Sequence, residues 1–219
     1  MKIGGLQRFS LIDYPGKSSA IIFTLGCSFR CGFCHNPELV DPRQFSKEIS
    51  EKKVLSFLKK RKDQLDAVVI TGGEPLLQRD KIDQLIDLMP DWNFEIETNG
   101  TIMPSKKQLH GCQFNCSPKL ENSGNMKVTR IKPEVLKALN KVDTQFKFVV
   151  MSEADVEESE RDFILPMKLD INKVILMPQG VTAKEVANNA KIVVEIAKKK
   201  GYRLLNRLQV EIWGAKRRV

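Results

Sequence analysis

Short apolar runs alternate with longer segments of helical periodicity along the chain, and this alternation restricts the fold more than any other feature. The runs are rich in β-branched or aromatic residues, as strands are. We predict strands within SAIIFTL, DAVVIT, NFEIET, FNCS, QFKFVV, KVILMP and LLNRLQVEI. We predict helices over residues 46–64, 79–89, 104–110, 132–139, 153–163 and 183–200. This order is typical of an α/β fold with a parallel sheet and crossover helices on its outer face.

Polar residues mark where several of these helices begin. Ser46, followed by Glu48, is the predicted cap of the first helix, and Thr182 with Glu185 opens the last one. The segment LENSGNMKVTR is the one extended loop that we predict, because its Asn, Ser and Gly residues favour turns.

Composition limits the class of protein. The chain has 219 residues, of which 42% are hydrophobic and 29% charged, so we expect a single domain over residues 1–219. No apolar stretch approaches the roughly 20 residues of a membrane helix, and we expect a cytoplasmic protein without membrane contact. The net charge of +9 fits solvated helix faces. A basic field also suits an anionic substrate, whereas no motif indicates a dedicated nucleic-acid site.

Three cysteines are crowded in GCSFRCGFCHN, directly after the first predicted strand. Cys27, Cys31 and Cys34 therefore lie on a loop at the carboxyl end of that strand, where such sheets place their chemistry. Soft thiolates select zinc or an iron–sulfur cluster. A closed zinc site needs four ligands. Three cysteines on a 4Fe–4S cluster leave one iron open to bind a cofactor or a substrate.

Two further cysteines and one histidine are candidates for a fourth metal ligand. On a strand, Cys112 and Cys116 face the same side about 13 Å apart, too far to share a metal. We expect both to be small buried residues, although the sequence leaves either open as a late ligand. His35 follows Cys34 directly, and we expect it to serve orientation or hydrogen bonding within the loop.

These motifs resemble those of the radical S-adenosylmethionine (SAM) enzymes. CSFRCGFC has their cysteine spacing, and TGGEP and ETNGT follow the second and third strands, where that family binds SAM. The resemblance implies a partial (β/α)6-type barrel and a 4Fe–4S cluster on Cys27, Cys31 and Cys34. Its open iron binds the amino and carboxylate groups of SAM, and the reduced cluster cleaves SAM to a 5'-deoxyadenosyl radical.

The same resemblance implies which residues contact SAM. Gly72 and Gly73 would permit close backbone approach to a ligand, and Glu74 would accept a hydrogen bond from the SAM ammonium group. The other residues that we assign to SAM supply polar groups toward its ribose and carboxylate. They are Glu97, Thr98 and Asn99. Phe33 either covers the adenine or shields the cluster.

The two ends of the chain resemble different families. Residues 6–40, CHNPEL in particular, are similar to activating enzymes for glycyl-radical enzymes, especially anaerobic ribonucleotide reductase. NCSPKLENSGN, DTQFKFVV, VILMPQGVT and RLQVEIWGAKRRV resemble 7-carboxy-7-deazaguanine synthase. We give the second resemblance more weight, because late strands and the C-terminal segment of a partial barrel close the substrate side. A glycyl-radical activator is the alternative.

The synthase resemblance implies the substrate 6-carboxy-5,6,7,8-tetrahydropterin and a ring contraction with loss of ammonia. Such a substrate needs a cation for its carboxylate and polar groups for its pyrimidine edge. Lys119, Lys147 and Arg207 are the candidate cations. Gln179 supplies a polar group, and Ser117, like Lys119, contacts either SAM or substrate.

The sequence departs from the synthases at two places. Their residue after the third cysteine is typically Asp, followed by Thr or Ser, which helps hold magnesium; here His35 and Asn36 stand there. IDYPGK replaces their QGEG-like motif, which leaves open another small anionic heterocycle as substrate. Magnesium is therefore an open cofactor. We expect flavodoxin or ferredoxin as electron donor, and the resemblance favours a homodimer.

The basic C-terminal tail has two readings. It either delivers Trp213, Lys216 or the carboxylate of Val219 to the pocket, or it is a frayed end.

Overall fold

The computed structural model describes residues 1–214, and within them eight strands follow one another in sequence order in one sheet. The strands are β1 Ile3–Ser10, β2 Ser19–Thr24, β3 Ala67–Gly72, β4 Asn93–Thr98, β5 Cys112–Cys116, β6 Thr144–Val150, β7 Val174–Pro178 and β8 Arg203–Leu204. The pairs β2–β3, β3–β4, β6–β7 and β7–β8 are parallel, and β1–β2 is antiparallel. The predicted α/β fold with a parallel sheet is confirmed.

Helices separate most of the strands. They are α1 Glu51–Lys60, α2 Arg79–Leu88, α3 Lys106–Gly111, α4 Lys127–Arg130, α5 Pro133–Asn140, α6 Glu153–Ser159, α7 Leu165–Met167, α8 Ala183–Lys200 and α9 Leu208–Trp213. A π-helical stretch, Glu160–Ile164, joins α6 to α7. None of the helices in the described part of the chain is both long and apolar enough to cross a membrane.

Contacts divide the chain into two compact units. Unit 1 comprises Met1–Phe29, Asn36–Thr98 and Ile102–Phe114. Unit 2 comprises Arg30–His35, Asn99–Thr101 and the chain from Asn115 onward. The single domain over residues 1–219 stays a prediction.

Each unit has its own core. In unit 1, residues 67–70 of β3 are completely buried, as expected for a parallel strand covered on both faces. In unit 2, Phe148 of β6 meets Phe163 of the π-helical stretch edge to face, with ring centroids 5.6 Å apart. Both phenylalanines are fully buried, so the π-helical stretch is tied to the sheet.

The first and last strands differ from the prediction. β1 was not predicted, because this antiparallel strand is half exposed and contains Gly4 and Gly5 in place of an apolar run. The predicted strand LLNRLQVEI is wrong: of its residues only Leu204 belongs to a strand, and those from Leu208 onward form α9. Its alternating apolar residues read as a strand, yet only Val210 is buried on the helix.

Helix boundaries follow capping side chains. The prediction of Ser46 as a cap is wrong, because α1 begins after Ser50, whose hydroxyl accepts from the Lys53 N–H. The segment before it runs past β1, where the Ile49 N–H donates to the Ile3 carbonyl (2.8 Å). The predicted bounds of α8 are confirmed, with a capping box between Thr182 and its third residue.

The segment that we predicted as an extended loop contains two helical turns. They are a 3-10 turn over Glu121–Ser123 and the short helix α4. Gly124 lies between them in the left-handed conformation (φ 76°), which favours glycine.

Candidate active site

The cysteine loop begins directly after β2 and is fastened in unit 1 by backbone hydrogen bonds. The Gly26 N–H donates to the Leu39 carbonyl (2.8 Å), and the Cys27 N–H donates to the Val40 carbonyl (3.1 Å). The Phe29 N–H lies 3.4 Å from Cys27 Sγ, and the Phe29 side chain is buried. Two backbone hydrogen bonds and the buried Phe29 side chain therefore hold the first cysteine in place.

The other two cysteines form a turn in unit 2. The Cys34 N–H donates to the Cys31 carbonyl (3.1 Å). The side chains of all three cysteines, including Cys27, are partly exposed. Three cysteines on one loop are a donor set that fits an iron–sulfur cluster.

An asparagine from a distant part of unit 2 contacts this turn. Asn125 Nδ2 donates to Cys31 Sγ (3.2 Å), and Asn125 Oδ1 accepts from the Arg30 N–H (3.0 Å). The Gly32 N–H donates to the Ser123 carbonyl (3.3 Å). The sequence did not predict this role, because Asn125 stands among turn residues and carries no other signal.

A buried ion pair holds the segment that carries Asn125. Arg130 Nη1 donates to Glu158 Oε1 and to the Lys119 carbonyl, both at 2.8 Å, and its Nε donates to the Asn125 carbonyl (2.8 Å). The Glu158 carboxylate also accepts from the Glu121 N–H. Their side chains are only 3% and 8% exposed. The ion pair therefore fixes both ends of residues 119–125.

The glycines of TGGEP allow two chain segments of unit 1 to meet. Gly72 has φ 106°, and a Cβ atom there would lie 2.6 Å from Thr24 backbone atoms. A Cβ atom on Gly73 would lie 2.1 Å from the Gly26 carbonyl oxygen. That oxygen accepts the Glu74 N–H (2.7 Å), and Gly26 directly precedes the first cysteine. The close approach seen here is between backbone segments, and approach to a ligand stays a prediction.

Glu74 is completely buried. Its Oε1 accepts from Thr98 Oγ1 (2.8 Å) and from the Leu76 N–H (3.1 Å), so it caps the 3-10 turn that follows. These bonds tie the TGGEP turn to the end of β4. Acceptance from the SAM ammonium group stays a prediction.

The residues of ETNG hydrogen-bond within their own units. In unit 1, Glu97 Oε2 accepts from Thr71 Oγ1 (2.5 Å). In unit 2, Asn99 Oδ1 accepts from the N–H (3.0 Å) and the hydroxyl (2.6 Å) of Thr101. Thr98 and Asn99 are both buried.

The other predicted site residues of unit 2 lie on its later elements. Lys119 Nζ donates to the hydroxyl (2.9 Å) and the carbonyl (3.0 Å) of Ser117, so these two are brought together just after β5. Lys147 is partly buried in β6. Gln179 directly follows β7, and its N–H donates to the Val150 carbonyl (3.0 Å). Phe33 is partly buried in the cysteine loop.

Arg207 and His35 meet in unit 2. Arg207 lies between β8 and α9, is 7% exposed, and donates from Nη1 to His35 Nε2. Burial lowers the pKa of Arg207 below its usual range. We expected His35 to serve orientation or hydrogen bonding within the loop, whereas this contact joins it to Arg207, a predicted cation outside the loop.

The remaining cysteines are buried, as predicted. Cys112 and Cys116 are the two ends of β5, and each points inward. Burial, with a smaller contribution from Asp83, raises the pKa of Cys112 to about 12, so this group is a thiol at neutral pH.

The tail is only partly described. Trp213 ends α9 and is 38% exposed, while Lys216 and Val219 lie outside the described residues.

Comparison with known proteins identifies the family. A family model described as the radical SAM superfamily matches residues 21–110. The 7-carboxy-7-deazaguanine synthase of Halobacterium salinarum is 31% identical over 224 residues, covering 90% of this chain and 84% of that protein. The chain is a radical SAM protein of the 7-carboxy-7-deazaguanine synthase family. A protein of Methanocaldococcus jannaschii that is named as a glycyl-radical enzyme activating enzyme is 36% identical over 102 residues. That match covers 45% of this chain and 40% of the other protein.

A solved structure has the same fold as this synthase-family chain. The crystal structure of QueE from Escherichia coli matches with a TM-score of 0.67 and 19% identity, over 94% of this chain and 93% of that one. Membership of the radical SAM superfamily implies a 4Fe–4S cluster and SAM. The three cysteines of the loop are the residues that would hold the cluster.

The Asn125 contact leads to a prediction about this cluster. A hydrogen bond to a ligand sulfur stabilises the added negative charge of the reduced cluster. Asn125→Ala removes the donor to Cys31 and is expected to make the reduction potential more negative. The measurement is a redox titration of the reconstituted protein, followed by electron paramagnetic resonance, with the exposed Asn172→Ala as control. An unchanged potential at full iron content would contradict the role of Asn125.

Proposed function

We propose that this chain converts 6-carboxy-5,6,7,8-tetrahydropterin into 7-carboxy-7-deazaguanine, by ring contraction with loss of ammonia. The observation that carries this proposal is the extent of its similarity to the Halobacterium salinarum synthase, which spans 84% of that protein at 31% identity. The match to a glycyl-radical activator covers only 40% of that protein. A similarity over 90% of the chain extends well beyond the cysteine loop and the motifs assigned to SAM.

The proposed roles begin at the cysteine loop. Cys27, Cys31 and Cys34 hold the cluster. When bound, the cluster and SAM supply a 5'-deoxyadenosyl radical that removes hydrogen from the substrate. The chain positions the reactants and excludes competing hydrogen donors, and Phe33 contributes to that shielding or to the adenine site.

The proposed SAM residues lie at the ends of β3 and β4. Gly72 and Gly73 shape the turn, while the carboxylates of Glu74 and Glu97 and the hydroxyl of Thr98 would supply polar contacts to the cofactor. Asn99 and Ser117 belong to the same set. Their support is the match of the superfamily model, which includes TGGEP and ETNGT within residues 21–110.

The proposed substrate residues are cations and one amide of unit 2. Arg207, Lys119 and Lys147 are the candidates for the carboxylate, because charged donors bind such a group most strongly. Gln179 suits the pyrimidine edge, since its amide both donates and accepts. We also propose a flavodoxin or ferredoxin as electron donor, a homodimer and a cytoplasmic location.

The test is product analysis by mass spectrometry. The cluster is reconstituted without oxygen and reduced, and the protein is incubated with SAM and the carboxylated tetrahydropterin. We expect 7-carboxy-7-deazaguanine to form beyond any uncoupled 5'-deoxyadenosine. Cys34→Ala should abolish both products, whereas the matched control Cys112→Ala, which replaces a buried thiol, should retain them.

A different outcome would point to the alternative activity. Cleavage of SAM without the deazaguanine would reject this substrate while keeping the radical chemistry. A glycyl-radical activator would then become the leading hypothesis.

A further inference from the structure

Two arginines are buried within residues 1–214, and they differ in what neutralises them. Arg130 is paired with the Glu158 carboxylate at 2.8 Å. Arg207 contacts the imidazole of His35, and no acidic side chain within residues 1–214 forms an ion pair with it. A buried charge is costly unless an opposite charge compensates it. Within residues 1–214, the buried guanidinium of Arg207 therefore has no carboxylate to compensate its charge.

The guanidinium of Arg207 also has an unused donor. Its Nη1 is engaged by His35, but its Nε is buried and has no hydrogen-bond partner among the described residues. Arginine binds a carboxylate through two parallel N–H donors on one edge of the guanidinium. The edge that includes Nε is available for such a group.

One member of the Arg207–His35 pair belongs to the cysteine loop. His35 follows the third cysteine directly, and Arg207 lies just beyond the carboxyl end of β8. His35 contacts the guanidinium through Nε2, and an imidazole carries no negative charge. His35 therefore orients the guanidinium without neutralising it.

Magnesium does not fit beside this pair. In the synthases that the chain resembles, Asp followed by Thr or Ser typically stands where this chain has His35 and Asn36, and helps hold that ion. Magnesium takes oxygen ligands, whereas position 35 offers an imidazole nitrogen that already accepts from Arg207. The fixed guanidinium would also repel a divalent cation.

We propose that Arg207, oriented by His35, is a carboxylate-binding site that works without a metal ion. This inference rests on the proposed function, under which the carboxylate belongs to the pterin substrate. SAM also carries a carboxylate, and the test separates the two sources. His35 is a positioning residue, since it acts through the guanidinium.

The experiment measures equilibrium binding to the reconstituted protein with its cluster left oxidised, so that no turnover occurs. The probes are 6-carboxy-5,6,7,8-tetrahydropterin, the tetrahydropterin that lacks the carboxylate, and SAM, each with EDTA and with MgCl2. For the unmodified protein, we expect affinity for the carboxylated pterin to be equal in both buffers. Arg207→Gln should weaken that affinity about 10- to 100-fold, the range expected when hydrogen bonds to a charged group are lost.

Several matched variants separate binding from structural effects. Arg203→Gln removes an exposed arginine near the same strand and should leave binding unchanged. Arg207→Lys keeps the charge without the planar fork and should remain weakened. His35→Ala should weaken binding, and His35→Gln should restore it, because the amide oxygen can accept from Nη1.

The outcomes distinguish this inference from the proposed function. Equal affinity of Arg207→Gln and the unmodified protein for the carboxylated pterin would overturn the site, even when the product assay succeeds. A requirement for magnesium would overturn its metal independence. Weakened binding of SAM with unchanged binding of the pterin would overturn the assignment to substrate. A protein that binds as expected and yields no deazaguanine would refute the proposed function alone.

Discussion

Arg130→Leu is expected to lower the free energy of unfolding by about 3–5 kcal/mol, the range found when one partner of a buried ion pair is removed. The variant leaves the Glu158 carboxylate buried without its counter-ion. It also removes the donors to the Lys119 and Asn125 carbonyls. The measurement is chemical denaturation of the apo-protein, read out by circular dichroism.

The control for this prediction is the double variant Arg130→Leu/Glu158→Leu. Replacing both charges by apolar side chains is often nearly neutral for stability, so the double variant should regain most of the loss. Arg161→Leu removes an exposed arginine and should change the free energy of unfolding little. Equal stabilities of Arg130→Leu and Arg161→Leu would contradict the importance of the buried pair.

Gly73→Ala is expected to be the most damaging small substitution near the cluster. The new Cβ atom would lie 2.1 Å from the Gly26 carbonyl oxygen, so one of the two backbone segments must move. We expect a loss of stability on the order of 3 kcal/mol, at the high end for point mutations. Because Gly26 precedes Cys27, iron content after reconstitution should fall as well.

The matched control for Gly73→Ala is Gly111→Ala. A Cβ atom on Gly111 meets no atom within 4 Å, so this variant should keep both its stability and its iron. Iron is quantified by colorimetry, and stability by denaturation of the apo-protein. Full iron and unchanged stability in Gly73→Ala would show that the two segments are free to separate.

Much of the fold could be predicted from local pattern. The strand NFEIET and the helix α8 have the periodicity and caps that their structures require, so their predictions needed no knowledge of distant residues. The prediction failed where a local pattern was ambiguous. In LQVEIW, apolar residues alternate as in a strand, but the segment is a short helix with one buried side chain.

Contacts between distant residues could not be predicted. Cys31 and Asn125 are 94 positions apart, and His35 and Arg207 are 172 apart. The spacing of the cysteines indicated a cluster without indicating what would contact the ligand sulfurs. Arg207 was predicted as a cation, yet its burial and its contact with His35 depend on how unit 2 folds.

The Arg130–Glu158 pair also limits how related sequences can diverge. Either residue changed alone leaves a buried charge, whereas both changed together leave none. Sequences that descend from this chain must therefore either retain the pair or lose it through a variant that has one unpaired buried charge and folds poorly. We expect positions 130 and 158 to change together during evolution, while the residues around them drift independently.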